Sequence, residues 1–339
     1  MLVNRPSRLA FLFTAKVGST LATSLMFKHA GVYETVREWT HHSHHAPFMA
    51  PIHQYRESVF DTQSDHEAVD CAVCEMPEWT CLKMVRNPLN RAVSSYITTG
   101  EVMRLEASTG YKAYAMRHGF ESKQILPELV ALEGKARTRF SFADFLDALE
   151  IRAQGCDRSF MDIHFMPQDS LPCSPVGRIR HIPIEAMSLG ALNAATNGTG
   201  VVFNDIPQSP ELVDSVHAIP HAVTGQNTLS GDPSRWSFQT VYQQFHNYRM
   251  HPPSYDAFLS GEGITSRICR LFRADVMLYR RMCEQPWLHA CTACVAVCQA
   301  QIAKLRVCTD EDRHMHWWNQ LRNVCSSSSP QGYTVQLPP

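Results

Sequence analysis

Two segments of the chain share one pattern: a short apolar run, a polar loop, and then a helix-like stretch. They are residues 10–20 and residues 82–96. In both segments, cationic and hydroxyl side chains are concentrated where the helix is predicted to begin. A helix start presents backbone N–H groups and a partial positive charge, which favour binding of phosphate or sulfate. The two segments therefore predict a ligand with two separated anionic ends.

The composition indicates a globular protein and argues against two other classes. The chain has 339 residues, of which 44% are hydrophobic and 19% charged, so it can bury a substantial core. A formal net charge of -1 argues against a bulk nucleic-acid binder. No apolar run approaches the ~20 residues needed to span a bilayer, so we expect no transmembrane segment.

The apolar runs at Leu9–Thr14 and Thr80–Val85 predict buried strands. Helices are expected to follow at Thr20–His29 and at about Leu89–Thr98, with Pro88 suited to the first helical turn. Strands that alternate with helices are typical of an α/β fold with a parallel sheet. In such folds, ligands bind at the carboxyl ends of the strands.

The later part of the chain is expected to contain two further helices and a tail. Ser141–Asp144 has the sequence of a capping box, which opens a helix. An amphipathic pattern covers about Ile264–Met282, and the periodicity fades beyond Pro286. We therefore expect a domain at residues 1–285, followed by a Cys-rich and partly disordered tail at residues 286–339.

The first loop differs from a Walker A sequence, because Lys16 precedes Gly18 and the leading glycine is missing. Gly18 lets the backbone approach an anion closely, and the hydroxyl and N–H groups of Ser19 and Thr20 point at it. Lys16 then reaches the bridging oxygen of a phosphoryl or sulfuryl donor. Taken alone, such a fragment is more often an ordinary strand-to-helix turn.

The second loop begins at Arg86, and Ser94 follows eight residues later in the sequence Arg-Asn-Pro-x-x-Arg-x-x-Ser-x-Tyr. This sequence resembles the 3′-phosphate-binding motif of sulfotransferases. The first loop resembles their 5′-phosphosulfate loop, although Ala15 stands where the family usually has proline and Asn87 replaces a common aspartate. The spacing between the two loops also suits that superfamily.

A third stretch contains His164, Gln168, Cys173 and Glu185. It resembles the His-x-x-Pro-Gln…Cys…Glu pattern of the Golgi-type, family 2 carbohydrate sulfotransferases. Their closing helix with its aspartate has a counterpart at Asp275. The resemblance extends over residues 9–282.

The resemblance implies a P-loop-like three-layer sandwich with a central parallel sheet flanked by helices. It also implies in-line transfer of a sulfuryl group from 3′-phosphoadenosine 5′-phosphosulfate (PAPS), without a metal, to a hydroxyl-bearing acceptor such as a glycan. Lys16 would stabilise the leaving phosphate oxygen as charge develops there. The donor-binding residues implied are Lys16, Val17, Gly18, Ser19, Thr20, Arg86 and Ser94.

The general base has more than one candidate. A neutral histidine or a carboxylate must lie within hydrogen-bond reach of the acceptor hydroxyl. His164, in the third stretch, is the first candidate for this catalytic role. An early cluster of histidines, at residues 41–45, offers His42, His44 and His45 as alternatives.

The 12 cysteines leave a second function open. We expect most of them to be reduced, semi-buried thiols, but Cys71 with Cys74, and Cys291 with Cys294 and Cys298, have spacings that thiolate metal ligands use. The alternative is a Cys/His-rich metal-binding interaction protein with degenerate phosphate loops, and a small-molecule kinase is a third hypothesis. The compartment is open: a soluble cytoplasmic location is favoured for the chain as given, with the Golgi lumen as the alternative.

Several arginines lie along the predicted closing helix, and two interpretations of them are equally open. They either face an anionic glycan or the nucleotide, or they form a solvated helix face. The residues concerned are Arg267, Arg270, Arg273, Arg280 and Arg281.

Overall fold

The computed structural model of the protein describes residues 1–14, 17–42, 55, 59–62, 72–107, 140–154, 168, 179–206, 231–237, 240–241 and 255–308. These residues contain a five-stranded sheet with the strand order β3-β1-β2-β4-β5. Its strands are β1 (Leu2–Asn4), β2 (Leu9–Leu12), β3 (Asp61–Thr62), β4 (Thr80–Val85) and β5 (Ile179–Pro183).

The sheet is parallel at one side and antiparallel at the other. β2, β4 and β5 run parallel, with Leu12 opposite Lys83 and Lys83 opposite His181. β1 is antiparallel to both of its neighbours, β2 and β3. The α/β fold is confirmed, but the sheet is mixed instead of wholly parallel. Only residues 5–8 connect β1 to β2, and so short a connection allows a hairpin but no parallel crossover.

Helices flank this sheet, and none in the described part of the chain is both long and apolar enough to cross a bilayer. Short 3₁₀ turns cover Ile184–Ala186, Pro233–Arg235, Pro286–Ala290 and Leu305–Val307. The α-helices are α1 (Ser19–His29), α2 (Tyr33–His42), α3 (Ala72–Glu75), α4 (Pro88–Ala107), α5 (Phe142–Gln154), α6 (Leu189–Thr196), α7 (Tyr255–Leu259), α8 (Ile264–Leu271), α9 (Arg273–Cys283) and α10 (Thr292–Lys304).

The helices predicted after the two loops are confirmed as α1 and α4, although α4 runs on to Ala107. The capping box is also confirmed, since the Ser141 N–H donates to Asp144 Oδ2 at 2.6 Å and the Asp144 N–H donates to Ser141 Oγ at 3.2 Å. The single helix expected at about Ile264–Met282 is instead two helices, α8 and α9. The chain leaves helical geometry between them at Phe272, whose buried ring packs in the core.

Alternate strand residues face opposite sides of the sheet, and helices cover both sides. On one side, Phe11, Leu82 and Ile182 pack against Leu25 of α1 and Leu192 of α6. On the other side, a larger cluster begins at the carboxyl end of β4 and joins α4, α5, α8 and α9. This arrangement is the three-layer sandwich expected from the sequence.

The described cysteines correct one expectation. Six of the eight are oxidised, in the disulfides Cys74–Cys81, Cys269–Cys308 and Cys291–Cys294, whereas most were expected to be reduced thiols. Sequence spacing did not reveal the pair Cys269–Cys308, because folding brings together residues that are 39 positions apart.

The first part of the expected tail packs against the rest of the fold. Residues 286–308 form α10 and its two flanking turns. The Arg280 side chain donates to the carbonyl oxygens of Leu305 and Cys308 at 2.9 and 3.1 Å. The boundary after residue 285 stays a prediction, and residues 309–339 lie outside the described part. The contacts of residues 286–308 favour a domain that continues to at least Cys308.

A chain that ends at Gln285 should be markedly less stable than one that ends at Cys308. It loses α10 and the Cys269–Cys308 disulfide, and a disulfide closing a loop of that length contributes about 4 kcal/mol. Urea denaturation of the two chains and of the full chain would measure this. Equal midpoints for all three would contradict the packing described for residues 286–308.

Candidate functional site

The first loop is shaped by Gly18, which connects β2 to α1. Its φ of 91° lies in the left-handed region, which L side chains rarely adopt. A Cβ atom at Gly18 would also lie 2.5 Å from Ile184 Cδ1 and 3.1 Å from Met84 Cε. Backbone conformation and space therefore both require glycine. The same contacts place the first loop against the end of β4 and the turn that follows β5.

The start of α1 is suited to an anion. Ser19 and Thr20 form its first turn, and they are partly exposed. The first N–H groups of a helix have no intrahelical acceptor, and the first turn of α1 contains no acidic residue that would repel an anion. Val17 is fully buried in the core beneath and anchors the loop.

The second loop connects β4 to α4, and Asn87 fixes it. Asn87 Oδ1 accepts a hydrogen bond from the Leu89 N–H at 2.9 Å, which caps α4 ahead of Pro88. The Asn87 N–H donates to Glu185 Oε1 at 2.9 Å, and Asn87 Nδ2 donates to Gln301 Oε1 at 2.9 Å. Asn87 therefore joins the turn after β5 and helix α10 to the second loop.

The Gln168 side chain binds both the backbone N–H and the backbone carbonyl of Arg86. The Arg86 N–H donates to Gln168 Oε1 at 2.7 Å, and Gln168 Nε2 donates to the Arg86 carbonyl at 2.9 Å. The backbone N–H of Gln168 in turn donates to Asp275 Oδ1 at 2.6 Å. Gln168 and Asp275 are both fully buried. Arg86, Gln168 and Asp275 come from three separate parts of the sequence and meet here in the folded chain.

A buried ion pair lies beneath the second loop. Arg91 Nη1 lies 3.4 Å from Asp275 Oδ2, and both side chains are almost completely buried. Burial lowers the pKa of Arg91 to about 10; Asp275 opposes this shift, and the charge of Arg86 adds to it. Because the charges of Arg91 and Asp275 offset each other, the pair is a structural contact that holds α4 against α9 behind the second loop.

The Arg86 side chain is partly exposed, and its guanidinium carbon lies 5.3 Å from the centroid of the Tyr255 ring. Such a cation–π contact orients a guanidinium group while leaving its N–H groups able to bind an anion. Ser94 is in the second turn of α4 and is almost completely buried.

Glu185 lies in the turn after β5 and holds that turn against the second loop. Its Oε1 accepts from the Asn87 N–H and, at 3.4 Å, from Asn90 Nδ2, while Oε2 accepts from the Tyr279 hydroxyl at 2.9 Å. Burial, with the Glu185 charge second, raises the pKa of Tyr279 well above its usual value. The loops after β2, β4 and β5 thus meet at the carboxyl ends of three parallel strands.

Comparison with protein-family models agrees with this geometry. The model described as "Sulfotransferase family" matches residues 1–185, which is more than half of the chain. The chain belongs to the sulfotransferase family. Searches among curated proteins and among solved structures found no match.

Several site residues predicted from the sequence of this sulfotransferase lie outside the described residues. They are Lys16, His164, His44, His45 and Cys173. His42 is the last residue of α2, and only its backbone is described. The described candidates are Val17, Gly18, Ser19 and Thr20 in the first loop, with Arg86 and Ser94 in and after the second.

Sequence reasoning missed the supporting residues of the sulfotransferase site. Arg91 is almost completely buried beside Asp275, and its sequence neighbours identified neither its burial nor this partner. Tyr255 and Gln301 carried no local signal, since each acts through a contact made only in the folded chain.

The described residues of the sulfotransferase contain no group of three or more His, Cys, Asp or Glu side chains that could hold a metal ion. The arginines of α8 and α9 also have protein contacts. Arg267 pairs with Asp147 and Glu150, and Arg270 lies 3.7 Å from Glu150. These contacts favour a structural role for this pair over binding of an anionic glycan.

Replacing Asp275 with asparagine should destabilise the sulfotransferase by about 3–5 kcal/mol, because it leaves Arg91 as a buried charge without its carboxylate. Asp256→Asn is the matched control: Asp256 pairs with Lys304 but is 64% exposed, so its loss should cost at most about 1 kcal/mol. Urea unfolding would measure both. Equal effects would contradict the role given to the buried pair.

Proposed function

We propose that the protein transfers a sulfuryl group from PAPS to a hydroxyl of a carbohydrate or related acceptor. The observation that carries this proposal is the meeting of two anion-binding loops at one edge of the sheet, on the adjacent parallel strands β2 and β4. PAPS has two separated anionic ends, the 5′-phosphosulfate and the 3′-phosphate. Membership of the sulfotransferase family supports the same reaction class.

The donor would lie across the two loops. We assign its 5′ end to the first loop, where Lys16, Val17, Gly18, Ser19 and Thr20 would surround it with N–H groups, hydroxyls and one cation. Gly18 supports this assignment, because a side chain there would fill the space that the loop needs.

The 3′-phosphate is assigned to Arg86 and Ser94. A guanidinium group binds a phosphate by two parallel, charge-assisted hydrogen bonds. Gln168 supports this role, since it fixes the Arg86 backbone while leaving the side chain partly exposed.

In the proposed reaction, the acceptor oxygen attacks sulfur in line with the leaving phosphate oxygen. The bond from sulfur to that bridging oxygen breaks as the bond to the acceptor forms. Lys16 and the loop amides would stabilise the negative charge that develops on the leaving oxygen. The acceptor proton would pass to a general base, for which His164 is proposed first and His42, His44 or His45 as alternatives.

The cysteines favour the transferase over the metal-binding alternative. Six of the eight described cysteines are bound to one another in disulfides, and thiolates are what a metal site requires. This includes Cys291 and Cys294, two of the cysteines whose spacing suited metal ligands.

Adenosine 3′,5′-bisphosphate should raise the melting temperature of the protein much more than AMP does. A ligand at about 100 times its Kd adds roughly 2.7 kcal/mol to stability, and AMP lacks the phosphate that Arg86 is proposed to bind. The Arg86→Ala variant is the control, and it should respond to both nucleotides almost equally. Equal responses by the unaltered protein would contradict the 3′-phosphate site.

Lys16→Ala should lower turnover while leaving bisphosphate binding nearly unchanged, because its contact strengthens only as charge develops. His164→Ala should lower turnover by about two to four orders of magnitude, also without loss of donor affinity. Rates with labelled PAPS over a panel of hydroxyl acceptors would measure both. Near-full activity in His164→Ala, with loss in His42→Ala, His44→Ala or His45→Ala, would move the base to the early cluster.

A further inference from the structure

Cys283 and Cys298 lie side by side between α9 and α10. Their Sγ atoms are 2.7 Å apart, well inside the roughly 3.5–4.0 Å at which non-bonded heavy atoms make their best contact. Every other described cysteine already belongs to a disulfide. We propose that Cys283 and Cys298 are an oxidative cross-linking site, which closes a fourth disulfide and joins α9 to α10.

The reaction needs an oxidant, and a small-molecule disulfide is sufficient. The S–S bond of that reagent breaks and a bond forms between Cys283 Sγ and Cys298 Sγ. Two electrons pass to the reagent, and the two cysteine protons leave with the two small thiols released. The Cys283 thiol donates a hydrogen bond to Cys298, which lowers the pKa of Cys298 and favours the reactive thiolate there.

Cys283 is the last residue of a row along one face of α9, and this row contacts the groups that hold the second loop. Tyr279 lies one turn before it and donates to Glu185, and Asp275 lies one turn earlier still and holds Gln168. Residues four apart on a helix share a face, so the row is continuous. The position of α9 therefore affects Gln168 and Glu185, the two side chains that hold the backbone of the second loop.

On α10, Cys298 lies one turn before Gln301. Gln301 Oε1 accepts the hydrogen bond from Asn87 Nδ2, inside the second loop. A bond between Cys283 and Cys298 would therefore join two helices that both reach Asn87, α10 directly through Gln301 and α9 through Glu185. Because this consequence concerns the donor site, it rests on the proposed function, whereas the cross-link itself does not.

Peptide mapping tests the cross-link on the full chain. The protein is purified without reductant and incubated with oxidised glutathione. Its free thiols are alkylated, and it is then digested unreduced for mass spectrometry. We expect a peptide pair joined through Cys283 and Cys298. Alkyl groups on both cysteines, or either one joined to a different cysteine or to glutathione, would overturn the proposal.

The double variant Cys283→Ala with Cys298→Ala tests the consequence for the donor site. We expect its affinity for adenosine 3′,5′-bisphosphate to fall about fivefold, which corresponds to ~1 kcal/mol. Its melting temperature should fall by about 5 °C, as expected for loss of a disulfide that closes a loop of this size. The matched control is Cys291→Ala with Cys294→Ala, which removes a disulfide next to the same helix and should leave the affinity unchanged.

The outcomes separate this inference from the proposed function. If the oxidised, unaltered protein fails to bind the bisphosphate, the donor assignment fails while the peptide map still decides the cross-link. If the unaltered protein carries the cross-link and binds the bisphosphate no better than the double variant does, the coupling to the donor loops is overturned.

Discussion

The buried contact between Arg91 and Asp275 supports the whole of the second loop. Removing a guanidinium group and a carboxylate from water is costly, and it is tolerated only where the remaining hydrogen-bonding groups also find partners. Asp275 meets this condition by accepting from both Arg91 and the backbone of Gln168. Gln168 then holds the Arg86 peptide group, so the ion pair fixes the loop that presents Arg86.

Local features of the fold could be predicted from the sequence because their causes are local. The strand at Thr80–Val85 is mostly apolar and buried throughout, Pro88 suits the first turn of α4, and Ser141 with Asp144 forms a capping box. Gly18 could be predicted as a close-approach residue. The close contact between Gly18 and Ile184 could not be predicted, because Ile184 lies 166 residues further along the chain.

The features that sequence reasoning missed depend on long-range contacts. Arg91 and Asp275 are 184 positions apart, and Asn87 and Gln301 are 214 apart. A pattern of apolar periodicity states that a residue is buried, but it does not state against what. The pairing of β1 with β3 and the Cys269–Cys308 disulfide were missed for the same reason, since each is defined by a distant partner.

The same contacts explain why the region matched by the family model is structurally incomplete. Residues 1–185 contain both loops that are proposed to bind the donor, but the groups that hold the second loop include Asp275, Tyr279 and Gln301, all beyond that region. Without them, Arg91 would be a buried cation, and Glu185 and Asn87 would each lose a hydrogen-bond partner. An account of donor binding by this protein must therefore include α9 and α10, even though neither helix contributes a residue that is proposed to bind the donor.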